Sequence, residues 1–291
     1  DFTGTILSSM TPNVSLSTLT VSGLFGYTTY YFRVGSLNYN SVPNFAFASS
    51  TRTNLGSAPA APVIVDVQLS SVAVRLTAVG AESYVVEAST AANFTGVVRS
   101  SAGFVVGIST LAPQNLFPNT TYFLRAGAVW FGATSYADAA PLSTSTLANL
   151  TVNHDFTAVY LSSVTVAWNP LPTAAFAGSS STSEGYRIEA STAADFTGTI
   201  LSSMTPNVSL STLTVSGLFG YTTYYFRVGS LNYNSVPNFA FASSTRTNLG
   251  GAPGAPIVVD VQLSSVSVQF TAVGAESYVV EASTAANFTG V

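Results

Sequence analysis

Residues 1–97 return at 195–291, offset by 194, with no gap and only seven substitutions. A chain that repeats itself at a fixed long period is built from copies of one folding unit. Any fold assigned to one copy must therefore serve the other. The substitutions fall at 57, 60, 63, 64, 73, 75 and 76, opposite 251, 254, 257, 258, 267, 269 and 270.

Within the period, short runs alternate between apolar and polar residues. Examples are "SSVAVRL", "SYVVEAS", "TTYFLRAGAV" and "SLSTLTVSGL". Runs rich in Val, Thr, Tyr and Phe, broken by Gly, Pro, Asn and Ser, predict strands, and no stretch sustains a helical period. Strands spaced by about 8–12 residues predict an all-β chain of sandwiches. Linker-like "GSAPAAP" at 56–62 and "GGAPGAP" at 250–256, with a further boundary near "TSTLANLT", divide the chain into four pieces. Residues 1–56 are the C-terminal half of a long unit, 58–147 a complete short unit, 148–251 a complete long unit, and 252–291 the N-terminal half of a short unit. The long unit carries the insertion "NPLPTAAFAGSSSTSEG" at 169–185, where the short unit has only "TAVGAE".

The units resemble fibronectin type III domains. "LFPNTTY" at 116–122 has the Leu-x-Pro-x-Thr-x-Tyr pattern of that family, and "LFGYTTY" at 24–30 and 218–224 keeps Leu, Thr and Tyr but has Gly in place of Pro. The family's strand-B tryptophan is matched by Trp168, whereas the short units carry Leu76 and Phe270 there. The resemblance covers essentially the whole chain. It implies immunoglobulin-like β-sandwiches in a linear array, with Tyr30, Tyr122 and Tyr224 at the corner before strand F, their hydroxyls bonded to nearby backbone. It also places strand C beside strand F. Alternation then puts Glu87 and Arg125 on one outward face as a cross-strand ion pair, with Glu189 and Arg227 repeating it. The family hosts many roles, so the resemblance alone assigns none.

Charge is scarce. Asp, Glu, Lys and Arg make up 7% of the chain, against about 25% in ordinary soluble proteins. All eight basic residues are arginine, which leaves no basic surface for nucleic acid and no lysine for isopeptide staples. Apolar residues reach 47%, yet no run approaches the ~18 consecutive apolar residues of a membrane helix. With no cysteine, disulfides and thiolate metal sites are excluded.

Signals for catalysis are missing from the sequence. His154 is the single histidine and reads as structural; there is no G-x-S-x-G turn and no calcium-loop spacing. Neither an enzyme activity nor a cofactor is expected. Six Asn-x-Ser/Thr tripeptides, at Asn13, Asn93, Asn119, Asn149, Asn207 and Asn287, are weak glycosylation candidates, because so Ser/Thr-rich a chain makes them by chance. Aromatic residues are the better lead. Trp130, Phe131 and Tyr136 in the short unit, Tyr233, Phe239 and Phe241 in the long unit, and Phe176 in the insertion are expected in loops, where they cap the domain's own core or pack against a neighbouring domain or chain.

The half-units at either end cannot close a two-sheet core alone. The expectation is a window on a longer tandem array. The alternative is complementation between successive subunits. The functional expectation is an extracellular or cell-surface filament, sheath or fibre, prokaryotic in type, whose partner is itself, either as a homopolymer or by lateral bundling, with glycans as a further partner class. The alternatives are a repetitive adhesin stalk and a spacer of a secreted polysaccharide-degrading enzyme.

Overall fold

The computed structural model describes residues 4–103, 109–137, 142–174, 182–273, 275 and 277–288. Every regular element among them is a strand. The chain forms two compact units. Unit 1 comprises 1–116 with 121–146, and unit 2 comprises 117–120 with 147–291.

Unit 1 opens with four strands of a long-type half, β1 (Thr29–Tyr30), β2 (Arg33–Leu37), β3 (Pro43–Phe47) and β4 (Thr51–Arg52), paired β1–β4 and β2–β3. A complete sandwich follows: β5 (Ala60–Val67), β6 (Val72–Thr77), β7 (Ser83–Ser89), β8 (Val98–Gly103), β9 (Thr110–Leu111), β10 (Thr121–Trp130), β11 (Ala133–Tyr136) and β12 (Leu142–Ser145). One sheet is β5-β6-β9. The other runs β11-β10-β7-β8, with β12 also on β10.

In unit 2 the long sandwich repeats this plan. Its strands are β13 (Val152–Val159), β14 (Ser163–Asn169), β15 (Tyr186–Ser191), β16 (Ile200–Thr205), β17 (Thr212–Ser216), β18 (Thr223–Leu231) and β19 (Pro237–Arg246). The sheets are β13-β14-β17 and β16-β15-β18-β19. A short-type hairpin, β20 (Gly254–Val261) with β21 (Val266–Thr271), closes the described chain.

Alternation explains the cores. On β6, Val72, Val74 and Leu76 are buried, while Arg75 between them faces outward. They meet Tyr84, Val86, Tyr122 and Leu124 of the facing sheet. In the long sandwich, Val164, Val166 and Trp168 meet Tyr186, Ile188, Phe226 and Val228, with the Trp168 and Tyr186 rings 5.0 Å apart. Burying each such side chain contributes about 1.5–3 kcal/mol.

The half-units keep the register of their complete counterparts. Gly35 pairs with Phe45 as Gly229 pairs with Phe239, and Ala60–Thr77 and Gly254–Thr271 match likewise. They do not bury the same faces. Val34 is 66% exposed and its equivalent Val228 0%; Tyr278 is 40% exposed and its equivalent Tyr84 1%.

Candidate functional site

The most distinctive constellation lies on the outer face of the larger sheet of each sandwich. It grows from the sequence Arg-x-Gly on strand F, present as Arg33–Gly35, Arg125–Gly127 and Arg227–Gly229. Register sets Arg125 opposite Glu87 and Arg227 opposite Glu189. Arg125 donates through Nε to Glu87 Oε2 at 2.7 Å, and Arg227 through Nε to Glu189 Oε2 at 2.7 Å.

The glycine two residues on makes room for an aromatic ring from strand G. A Cβ on Gly127 would lie 2.9 Å from the Tyr136 ring, and one on Gly229 would lie 2.9 Å from Phe239. Seated there, the ring reaches back over the guanidinium. Tyr136 is 3.8 Å from Arg125 Cζ, Phe239 is 4.0 Å from Arg227 Cζ, and Phe45 is 4.0 Å from Arg33 Cζ.

The second guanidinium face is covered by a phenylalanine from the turn after strand C. Phe94 lies 4.0 Å from Arg125 and Phe196 lies 4.2 Å from Arg227. Both take a left-handed backbone, φ +58° each, which is uncommon for a bulky residue. The preceding side chain holds the turn. Asn93 Oδ1 accepts from Thr95 N and Oγ1 at 3.2 and 2.6 Å, and Asp195 Oδ1 accepts from Thr197 N and Oγ1 at 3.1 and 2.7 Å. These bonds hold the Asp195 carboxyl below its ordinary pKa. Each sandwich thus carries an aromatic–arginine–aromatic stack bonded to a carboxylate. Cation–π contacts of this kind stabilise by about 0.5–2 kcal/mol.

The two sandwiches differ in charge. In the long one, Arg187 NH2 contacts the other Glu189 oxygen at 2.7 Å, so two arginines share one buried carboxylate. Arg187 Nε is buried and has no hydrogen-bond partner among the described residues; nor do Trp168 Nε1 and Ser183 Oγ. The short sandwich has Val85 at the Arg187 position. Tyr136 has its pKa raised by burial and, secondarily, by the Glu87 charge.

The tyrosine corners take a defined form in the long-type copies. Tyr30 OH accepts from Phe25 N at 2.9 Å, and Tyr224 OH accepts from Phe219 N at 3.0 Å. Tyr122 is buried in the core of the short sandwich.

The aromatic residues expected in loops are mostly on strands. Trp130 ends β10, Tyr136 lies in β11, and Phe239 and Phe241 lie in β19; only Phe131 and Tyr233 sit in turns. Composition made the strand F–G connection look longer than it is. Tyr136 and Phe239 stack on their own arginines, whereas Phe241, 69% exposed, rests on Phe196 with ring centroids 5.7 Å apart. Phe176 lies outside the described residues.

The glycosylation candidates separate by exposure. Asn13, Asn93, Asn207 and Asn287 are exposed and Asn149 is half-buried. Asn119 is 1% exposed, which removes it as an acceptor in the folded chain. Its side chain is instead clamped. Nδ2 donates to Thr182 Oγ1 and Glu184 Oε1 at 3.0 Å each, and Oδ1 accepts from Tyr233 N at 3.2 Å. Glu184 also raises the Tyr233 pKa by its charge, with burial second.

His154 sits beside the β19 edge, in a shallow cleft with Asp155, Phe156 and Ser243. Its Nε2 is 2.9 Å from Thr151 Oγ1, and burial lowers its pKa. No group of three His, Cys, Asp or Glu that could hold a metal ion occurs among the described residues. No helix there is long and apolar enough to cross a membrane.

Sequence reasoning missed Phe94, Phe196, Arg187 and the ring-seating glycines. The available signal is the threefold Arg-x-Gly together with the recurring Ala-x-Phe-Thr-Gly, which only the register brings together.

The strand order, a three-stranded sheet facing one of five strands in the short unit and four in the long, with strand C beside strand F, defines each complete unit as a fibronectin type III-like β-sandwich. Solved structures similar to the chain are of that kind. A two-domain fibronectin type III segment of chicken tenascin is 16% identical, covers 64% of this chain and 99% of its own, and has a TM-score of 0.36. The FN1–FN3 domains of chicken CNTN1 are 14% identical, cover 78% and 80%, and have a TM-score of 0.35. The FN5 domain of Drosophila Lar is 20% identical, covers 35% and 98%, and has a TM-score of 0.28. No protein-family model matches the chain. No curated protein matches it either.

Proposed function

We propose that this chain is a structural subunit of an extracellular filament, sheath or surface fibre. The observation that carries this reading is the near-identity of the 194-residue repeat, 90 of 97 overlapping positions being unchanged. Neighbouring identical domains are a folding hazard, because like segments mispair. A chain that keeps them gains a uniform surface repeated at a fixed step, which is what a regular assembly requires.

The surface chemistry fits. Few charges oppose contact between copies, and large apolar groups such as Phe241 and Tyr233 stand exposed. No catalytic role is assigned.

Sedimentation and negative-stain microscopy of a chain carrying several repeats test the reading. A fibre subunit bundles laterally as concentration rises. A solitary extended particle at all concentrations favours an adhesin stalk, and a catalytic domain on the same polypeptide favours a spacer.

A further inference from the structure

In both sandwiches one carboxylate oxygen is devoted to the stacked arginine. Glu87 Oε2 takes Nε and NH2 of Arg125, each at 2.7 Å. Glu189 Oε2 takes the same two nitrogens of Arg227. A carboxylate has about four lone-pair sites, and a side chain as buried as these loses stability when an oxygen lacks a donor. The exposure of the two side chains is 19% for Glu87 and 5% for Glu189.

The two sandwiches draw the second donor from different strands. In the long one it is Arg187 on strand C, whose NH2 lies 2.7 Å from Glu189 Oε1. In the short one strand C has Val85 there, which can donate nothing. The strand-G ring supplies the group instead: the Tyr136 hydroxyl is hydrogen-bonded to Glu87. The long-type ring is Phe239, which has no hydroxyl.

Register puts these positions in line. Val85 pairs with Gly127, and Gly127 with Tyr136. Arg187 pairs with Gly229, and Gly229 with Phe239. Each sandwich has one such row across strands C, F and G, reading Val-Gly-Tyr in the short type and Arg-Gly-Phe in the long. The outer members stand two strand spacings apart, about 10 Å, and communicate through the carboxylate.

We propose that each row is a matched set: the strand C residue and the strand-G ring together give the buried carboxylate its second donor, and the match makes each strand C favour the F–G hairpin of its own type over that of the neighbouring type. The hybrid Val-Gly-Phe has no second donor. The hybrid Arg-Gly-Tyr offers two where one is needed. An exchange of hairpins between a short and a long sandwich makes one hybrid of each kind, so one carboxylate always loses its donor. Exchange of like segments is the hazard of a tandem array, and the row raises its cost. The inference is independent of the fibre reading, because it concerns pairing within the chain whatever the chain builds.

Double-mutant cycles in the full chain test it, with hydrogen–deuterium exchange read on peptides of each sandwich separately. In the short sandwich, Tyr136→Phe creates the Val-Gly-Phe hybrid and is expected to lower amide protection about tenfold, as loss of a hydrogen bond to a charged group does. Adding Val85→Arg completes the long-type row and is expected to recover most of that factor. Val85→Arg alone brings less than about a twofold gain, since the phenol already serves. Val85→Met with Tyr136→Phe, a longer side chain without a donor, recovers nothing. In the long sandwich, Arg187→Val is expected to lose about tenfold and Phe239→Tyr in the same chain to recover it, a second cycle that decides the matter if a short-type variant fails to fold. The proposal is overturned if, in either sandwich whose variants fold, the effects at the two positions are independent, or if Val85→Met rescues as well as Val85→Arg.

Discussion

Arg227 and Glu189 stand opposite each other on neighbouring strands, and both Nε and NH2 of the arginine reach the same carboxylate oxygen, at 2.7 and 2.5 Å. Glu189 is 4% exposed, and its other oxygen is taken by Arg187. Removing one partner of a buried pair costs about 3–5 kcal/mol, because the remaining charge stays buried. Arg187 softens that loss here. Arg227→Met is expected to destabilise the long sandwich by about 2–3 kcal/mol, and Arg125→Met, in a more exposed pair, the short sandwich by about 1–2 kcal/mol. Chemical denaturation followed by near-ultraviolet circular dichroism reads both. Equal losses would mean that burial of the carboxylate does not govern the cost.

The ring seats predict position-dependent glycine effects. Gly127→Ala sets a methyl 2.5 Å from Thr134 Cγ2 and 2.9 Å from Tyr136, and Gly229→Ala sets one 2.9 Å from Phe239. Each is expected to cost about 1–3 kcal/mol, as overpacking does. Gly251→Ala meets nothing within 4 Å and has no left-handed φ, so its effect stays within about 0.5 kcal/mol. Thermal melts of the three variants make the comparison.

Glu184 charges the surroundings of Tyr233 and raises its phenol pKa. Glu184→Gln removes the larger cause and is expected to lower that pKa towards the ordinary value near 10. Nuclear magnetic resonance titration of the Tyr233 ring carbon reads it. Asn119→Ala, which strips three hydrogen bonds from the same cluster, is expected to cost about 2–3 kcal/mol by leaving buried groups unpaired.

Burial holds the His154 pKa below 6.5 in the folded chain, so between the two values the unfolded chain binds more protons. Stability from this group is intact above about pH 6.5 and is lost as pH falls through the folded-state value. His154→Gln is expected to flatten that part of the pH profile of the long sandwich. An unchanged slope would assign the acid sensitivity to the carboxylates.

The architecture was legible because its cause is local. Alternation on "SVAVRL" and "SVTVAW" puts Val72, Val74 and Leu76, and Val164, Val166 and Trp168, on one face whatever else the chain does. Strand C beside strand F then places Glu87 opposite Arg125. The stacks were not legible. Phe94 and Phe196 reach the guanidinium only from a left-handed backbone that local preference disfavours, and Tyr136 and Phe239 reach it only because Gly127 and Gly229, on another strand, leave space. Asn119 misled for a related reason. Its tripeptide is a surface signal, while its burial comes from Thr182, Glu184 and Tyr233, more than sixty residues away.

In unit 1 the Trp130 indole rests on Gly26 and Gly56, whereas the Asn119 amide is gripped by Glu184, and the short type has Pro118 in the place of Gly26. That difference has a genetic corollary. Were the DNA encoding this polypeptide to gain or lose one sandwich, two like ends would be thrown together, tryptophan against proline or asparagine against nothing able to hold it. Gain or loss of a whole 194-residue pair disturbs neither kind of fit.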